Sequence, residues 1–151
     1  MDETAEKFVE RLTRCGPGEK AALRRLARGH PTGLAVAYRL MPGTVPRWAE
    51  EDYLTVALLY GSHPNHDPDV GDLGSVCRQA KLRDQRFEIL LAAEPEQLRE
   101  RLRTVVGMVG SLSVNYVQLL KDIRQWDHPD RFVQRRWARS FWTEQETVSD
   151  A

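Results

Sequence analysis

Cysteine is scarce in this chain, lysine nearly so, and long apolar runs are missing. Only Cys15 and Cys77 stand among the 151 residues, and neither belongs to a C-x-x-C pair. Two thiols are too few for a disulfide framework or a four-thiolate zinc site, so both are expected to be reduced and packed. No apolar run approaches the roughly 18 residues that a membrane span needs. The opening residues, Met1-Asp2-Glu3-Thr4-Ala5-Glu6-Lys7, lack the positive and apolar regions of a secretory signal, which predicts a cytoplasmic protein. Stretches of alternating polar and apolar residues, which would mark β-strands, are missing too. What remains is 41% hydrophobic and 29% charged. That balance suits one folded core, or two small helical units sharing an interface, and excludes intrinsic disorder.

Net charge is also missing, but its zero conceals segregation. Residues 20–49 hold six basic side chains and no acid, and residues 50–77 hold six acids and no lysine or arginine. Residues 78–139 carry thirteen basic and eight acidic side chains, and the segment from Ser140 onward is net −3. Such blocks create fields of opposite sign on different surfaces. Arginine outnumbers lysine 18 to 4. The guanidinium fork suits phosphate oxygens, although a GC-rich genome produces the same ratio. Placement on helix faces is therefore the better guide.

Helical periodicity runs nearly throughout, which predicts an all-α bundle of about eight helices. Ala5, Phe8, Val9 and Leu12 recur at i, i+3, i+4 and i+7, so 2–14 reads as an amphipathic helix. A second helix is expected over 17–28, a third over 32–40 and a fourth over 46–60, punctuated by Gly16-Pro17, Gly29 and Pro42-Gly43. Residues 61–71, rich in Gly, Pro, Asn and Asp, read as a long exposed loop. Helices near 72–81 and 84–93 follow. Leu98, Leu102, Val105, Val109 and Leu112 then share one apolar face after Pro95, and further helices are expected over 114–125 and 129–145. Two helical subdomains, 1–93 and 94–151, are expected to meet near residues 93–96.

His63, His66, Asp67 and Asp69 are metal-ligand types at close spacing. Two prolines interrupt them and no rigid element presents them together. H-E-x-x-H, G-x-S-x-G and phosphate-cradling glycine loops are absent. We therefore expect no catalytic residue, metal or cofactor. A small hydrolase built on the 63–69 loop is the weakest reading.

The basic faces carry more. On the second helix, Lys20, Arg24, Arg25 and Arg28 lie opposite Ala22, Leu23, Leu26 and Ala27. A solvated face usually mixes signs, whereas an all-basic one fits phosphate. Arg131, Arg135 and Arg139 form an i, i+4, i+8 stripe on the last helix, with Trp142 beside it and Phe132, Val133, Trp137 and Phe141 inward. Arg83 with Arg86, and Arg99 with Arg103, could touch phosphate or pair with Asp84, Glu88 or Glu100. Trp48, Trp126, Trp137 and Trp142 read as core or interface anchors.

Two runs carry a resemblance. Tyr116-Val117-Gln118-Leu119-Leu120-Lys121-Asp122-Ile123-Arg124-Gln125-Trp126, followed by Val133-Gln134-Arg135-Arg136-Trp137-Ala138-Arg139-Ser140-Phe141-Trp142, is similar to the Y-x-x-L-L-x-D-[LI]-x-x-W … V-x-x-x-W-A-x-x-[FY]-[WY] ending of the CasB family. That family is the small subunit of the type I-E CRISPR surveillance complex, Cascade. Residues 22–28, Asp72-Leu73-Gly74 and 84–91 fall where the family has similar segments. The resemblance implies a non-catalytic subunit of two helical subdomains, present as paired copies beside the large and backbone subunits. It implies contact with the guide RNA–target DNA region and the displaced strand through basic surfaces, in antiviral defence. Arg24 and Arg25 match the family's N-terminal basic pair, Arg99 and Arg103 its central basic stretch, and Arg131 with its neighbours the C-terminal one. The acidic block 50–77 would face protein partners. The rival expectation is a helical protein–protein adaptor with no nucleic-acid role.

Overall fold

A computed structural model describes residues 3–143. Nine α-helices stand among them: α1 Glu3–Arg14, α2 Pro17–Arg24, α3 Pro31–Leu40, α4 Glu50–Ser62, α5 Leu73–Gln79, α6 Asp84–Leu91, α7 Leu98–Val106, α8 Tyr116–Arg124 and α9 Phe132–Trp142. Short 3₁₀ turns at Arg25–Arg28, Arg47–Ala49 and Pro95–Gln97 join or open helices. The all-α expectation is met. No described helix is long and apolar enough to cross a membrane.

The organising element is α4. Every residue from Tyr53 to Gly61 is buried, as befits a helix with neighbours all round. Helices α2, α7 and α8 pack on it, and one apolar cluster extends from Ala5 to Phe141. The line drawn between residues 93 and 94 is crossed by that cluster, by α5 against α9, and by Trp126 Nε1 donating to Ala93 O at 2.9 Å.

Three glycines, Gly33, Gly61 and Gly74, allow backbones to meet. A Cβ on Gly61 would lie 2.6 Å from Arg24 N and Leu23 C, so the end of α2 rides directly on the end of α4. A Cβ on Gly74 would lie 2.4 Å from Trp137 O, which seats α5 on α9.

Four expectations need correction. The second helix is not α-helical to residue 28: α2 stops at Arg24 and tightens into the 3₁₀ turn. Gly29, at φ 71°, closes that turn, with its N–H bonded to Leu26 O and that of His30 to Arg25 O. This pair of bonds is the Schellman arrangement that ends a helix. The helix after Pro95 stops at Val106, because Gly107 follows and Gly110 takes φ 64°. Val109 is nonetheless buried and Leu112 packs against the core from irregular chain.

The third correction concerns the segment after α4. It begins at His63 and is pinned along its length: His63, Asn65, His66, Asp67 and Val70 are half-buried, while Pro64, Pro68, Asp69 and Gly71 are exposed as expected. His63 Nε2 lies 2.7 Å from Leu112 O, Asn65 Nδ2 donates to Ser111 O at 2.9 Å, and Asp67 N donates to Val114 O at 3.2 Å. Its polar side chains find partners across the fold that local sequence does not reveal. Finally, the last helix begins at Phe132, not 129, because Arg131 takes φ 52° at its N-cap. Its expected continuation to 145 lies partly outside the described residues.

Candidate nucleic-acid interface

The 3₁₀ turn changes what the first basic face presents. In 3₁₀ geometry, side chains at i and i+3 eclipse. Arg25 and Arg28 therefore stack on one side, while Arg24 stands at the end of α2 with its Nε 3.5 Å from Gly61 O. The close approach of α2 to Gly61 brings Ser62 under these arginines. From the far side, α7 contributes Arg103. Ala21, Arg24, Arg25, Arg28, Ser62 and Arg103 line one cleft of about 330 Å³. All four guanidinium groups belong to exposed residues. Among the described residues, the cleft lining contains no acid. Four planar donors around a small polar concavity form a site for an anion with several acceptor oxygens.

Residues predicted as partners at short range are thus joined by one from far along the chain. Arg24 and Arg103 stand far apart in sequence, and only the packing of α2 and α7 on α4 unites them. Ser62 was missed, since a serine at a helix end carries no signal of its own.

Arg99 goes elsewhere. Its Nε donates to Thr55 Oγ1 at 2.8 Å, and its Nη2 donates to Glu51 O at 3.0 Å and Glu51 Oε1 at 2.9 Å. It ties the start of α7 to α4. This tie borders a different cleft of about 410 Å³ whose lining includes Glu51, Asp52, Glu96 and Asp127. Burial raises the Asp52 carboxyl above the usual aspartate value, and Arg124 and Arg99 partly offset it. The block of acids is therefore opposed by arginines in part, with Trp48 standing 72% exposed and Arg124 over its ring at 5.5 Å.

The second basic face is less concave. Arg131 Nη2 donates to Leu91 O at 3.3 Å, and Arg131 and Arg135 edge a shallow groove lined by Leu91, Ala92, Pro129 and Ala138. Arg139 is exposed further along α9, and Arg83 and Arg86 are exposed at the start of α6. Phe87 of α6 stacks on Phe141 of α9 with ring centroids 4.1 Å apart.

The residues that carry the C-terminal motif build the core. Asp122, 2% exposed, accepts from Trp137 Nε1 at 2.8 Å, from Gln118 Nε2 at 2.9 Å and from Arg136 Nη2. Asp72 caps α5 through Ser75 N at 3.0 Å and accepts from Ser140 Oγ at 3.0 Å and Arg136 Nε at 3.4 Å. Burial lowers the Arg136 affinity for its proton, but the two carboxylates more than offset this and hold it charged. Gln134 Nε2 donates to Trp126 O at 2.9 Å. Trp126 and Trp137 are core residues as expected, while Trp48 is largely exposed and Trp142, 41% exposed, packs edge-on against Phe87 and Phe141.

His63 and His66 spend ring nitrogens on the chain's own backbone. His66 Nδ1 lies 3.1 Å from Tyr116 N and 3.2 Å from Val114 O. One nitrogen cannot serve both at once; as a neutral acceptor it takes the Tyr116 amide. Burial lowers its proton affinity below the ordinary imidazole value, which agrees with that assignment. Among the described residues, no group of three or more His, Cys, Asp or Glu converges to hold a metal ion.

A sequence profile described as CRISPR-associated protein Cse2 matches residues 19–142. The chain belongs to the Cse2 family. A Cse2 relative from Thermus thermophilus is 32% identical over 155 residues, covering 91% of this chain and 89% of its own. The crystal structure of CasB from Thermus thermophilus matches with a TM-score of 0.79 at 27% identity, covering 91% of this chain and 97% of that one. CasB from M. ruber matches with a TM-score of 0.73 at 28% identity, covering 92% of each chain. The profile match runs from within α2 to the end of α9, so the Cse2 assignment agrees with the resemblance carried by the Tyr116–Trp142 runs.

Proposed function

We propose that this Cse2 family member is the non-catalytic small subunit of a type I-E Cascade complex, and that it binds nucleic-acid backbone without reading sequence. The observation that carries this reading is the cleft formed by Arg24, Arg25, Arg28 and Arg103. Membership of the family supports the setting, as does a chain of the structure described as a CRISPR RNA-guided surveillance complex, which shares this fold with a TM-score of 0.72 at 22% identity. The bound phosphates would be those of the displaced DNA strand and the guide RNA–target region. R-loop formation exchanges one duplex for another of similar stability, so a few added backbone contacts bias it toward the open form. The chain is neutral overall, so its free affinity is expected to be weak, on the order of 10⁻⁴–10⁻⁶ M, and steeply salt-dependent.

Partners in this reading are a second copy of the chain, the large and backbone subunits, the guide RNA and the target or displaced DNA strand. The two halves, 1–93 and 94–151, act as helical subdomains over one shared core. Arg99 serves the fold. Arg83, Arg86, Arg131, Arg135 and Arg139 supply further positive potential along α6 and α9. The apolar floor beside Arg131 and Arg135 favours a protein neighbour there, which is where the adaptor reading retains a claim.

The test is a salt titration of single-stranded DNA binding by the full chain. Each lost phosphate contact lowers the log–log salt slope by about 0.7. Arg24→Ala with Arg25→Ala should therefore flatten it by about 1.4. An unchanged slope and affinity would leave the cleft without a nucleic-acid role.

A further inference from the structure

The basic cleft does not end at Arg103. A second cleft of about 390 Å³ continues from it, lined by Leu59, Ser62, His63, Glu100, Arg103, Thr104, Val106 and Gly107. Ser62 and Arg103 belong to both linings. The two therefore adjoin at Ser62 and Arg103, and we treat them together as one groove. Its charge is uneven. The first part holds four arginines and no acid, and the second holds Glu100 facing the shared Arg103. Glu100 Oε2 accepts from Arg103 Nη1 at 2.8 Å, one turn away on α7. Both side chains reach solvent, at 73% and 40% exposure.

We propose that Glu100 is an electrostatic gate on this groove: it occupies Arg103 in the free chain and weakens backbone binding there until a phosphate displaces it. The inference rests on the nucleic-acid reading above. An exposed i, i+3 pair is weak, so it can be opened at small cost when a phosphate competes for the same guanidinium. A carboxylate on the groove wall also repels the next phosphate along the strand. Both effects hold the free chain's affinity down and reserve full engagement for a strand already held nearby, where effective concentration is high. Thr104 Oγ1 does not brace this carboxylate, because it donates to the Glu100 backbone carbonyl at 3.2 Å.

The experiment measures binding of a fluorescent oligothymidylate to the full chain across a salt series, for wild type and four variants. Glu100→Gln should tighten binding about two- to fivefold at low salt and steepen the salt slope by about 0.7. Glu96→Gln, the same charge change in the cleft beside Arg99, should leave binding within error of wild type. Adding Arg103→Ala to Glu100→Gln should cancel the gain. Equal gains from Glu100→Gln and Glu96→Gln would reduce the effect to net charge and overturn the gate. So would no gain from Glu100→Gln while binding still depends on Arg24 and Arg25. Binding indifferent to Arg24→Ala with Arg25→Ala would overturn the nucleic-acid reading itself, and the gate with it. Melting curves of each variant exclude misfolding as the cause.

Discussion

At the scale of single residues, the arginines divide by what surrounds them. Arg24, Arg25, Arg28 and Arg103 line a shared concavity, Arg103 there held by Glu100 of its own helix, whereas Arg99 and Arg136 are spent on groups of other elements. Arg99 and Arg103 look alike in sequence because both lie on one helix at i, i+4. Their different fates come from what α7 packs against on each side. Asp122 shows the opposite case. Its buried carboxylate serves Trp137, Gln118 and Arg136 at once, so removing it strands an indole N–H and leaves Arg136 with Asp72 alone. Asp122→Ala is expected to cost roughly 2–4 kcal/mol, seen as a lower urea midpoint with little change in the denaturant slope. His66 makes stability depend on pH. Burial keeps it neutral in the fold, while the unfolded chain titrates near the ordinary value of 6.5. Below that pH the unfolded chain binds the extra proton, so this group's stabilisation, present above pH 6.5, is lost as pH falls. His66→Gln should flatten the dependence of unfolding free energy on pH just below 6.5. An unaltered dependence would mean that other groups set it.

At the scale of elements, the fold depends on close crossings that only glycine permits. Gly61→Ala drives a methyl against the Arg24 and Leu23 backbone. It should destabilise by about 1–3 kcal/mol and weaken DNA binding as well, since the same crossing positions Arg24. Gly74→Ala, at the crossing of α5 and α9, should destabilise comparably and leave the basic cleft's affinity intact in the folded fraction. Thermal melts paired with binding at low temperature separate the two. Helix existence and faces were legible, because periodicity and caps act locally: Ala5, Phe8, Val9 and Leu12 are all buried as their spacing requires. What sequence could not show were features decided by distant chain. The 3₁₀ turn at 25–28 is the local exception, a Schellman closure at Gly29 that periodicity alone does not show. The pinned segment after His63 reflects bonds to residues 111–116. The motif of Tyr116–Trp142 identified the family, yet its aspartate and two of its tryptophans turn out to brace the core. Those residues hold the fold, and the basic cleft lies elsewhere.

At the scale of the whole molecule, zero net charge resolves into separate clefts along α4. Toward its end lies the arginine cleft between α2 and α7, and toward its start the cleft lined by Glu51, Asp52, Glu96 and Asp127 together with Arg99 and Arg124. A neutral protein with such polarity binds a polyanion weakly by itself and orients it well inside an assembly. The central claim is that the cleft arginines act on DNA opening and leave assembly alone. It is tested most directly in reconstituted Cascade carrying either the wild-type subunit or the Arg24→Ala, Arg25→Ala, Arg28→Ala variant, by measuring the fraction of target held as open R-loop together with the amount of subunit incorporated. We predict full incorporation of the variant and a clear fall in the open fraction, steeper as salt rises. Full incorporation with an open fraction equal to wild type would contradict the account, and loss of incorporation would assign these arginines to protein partners.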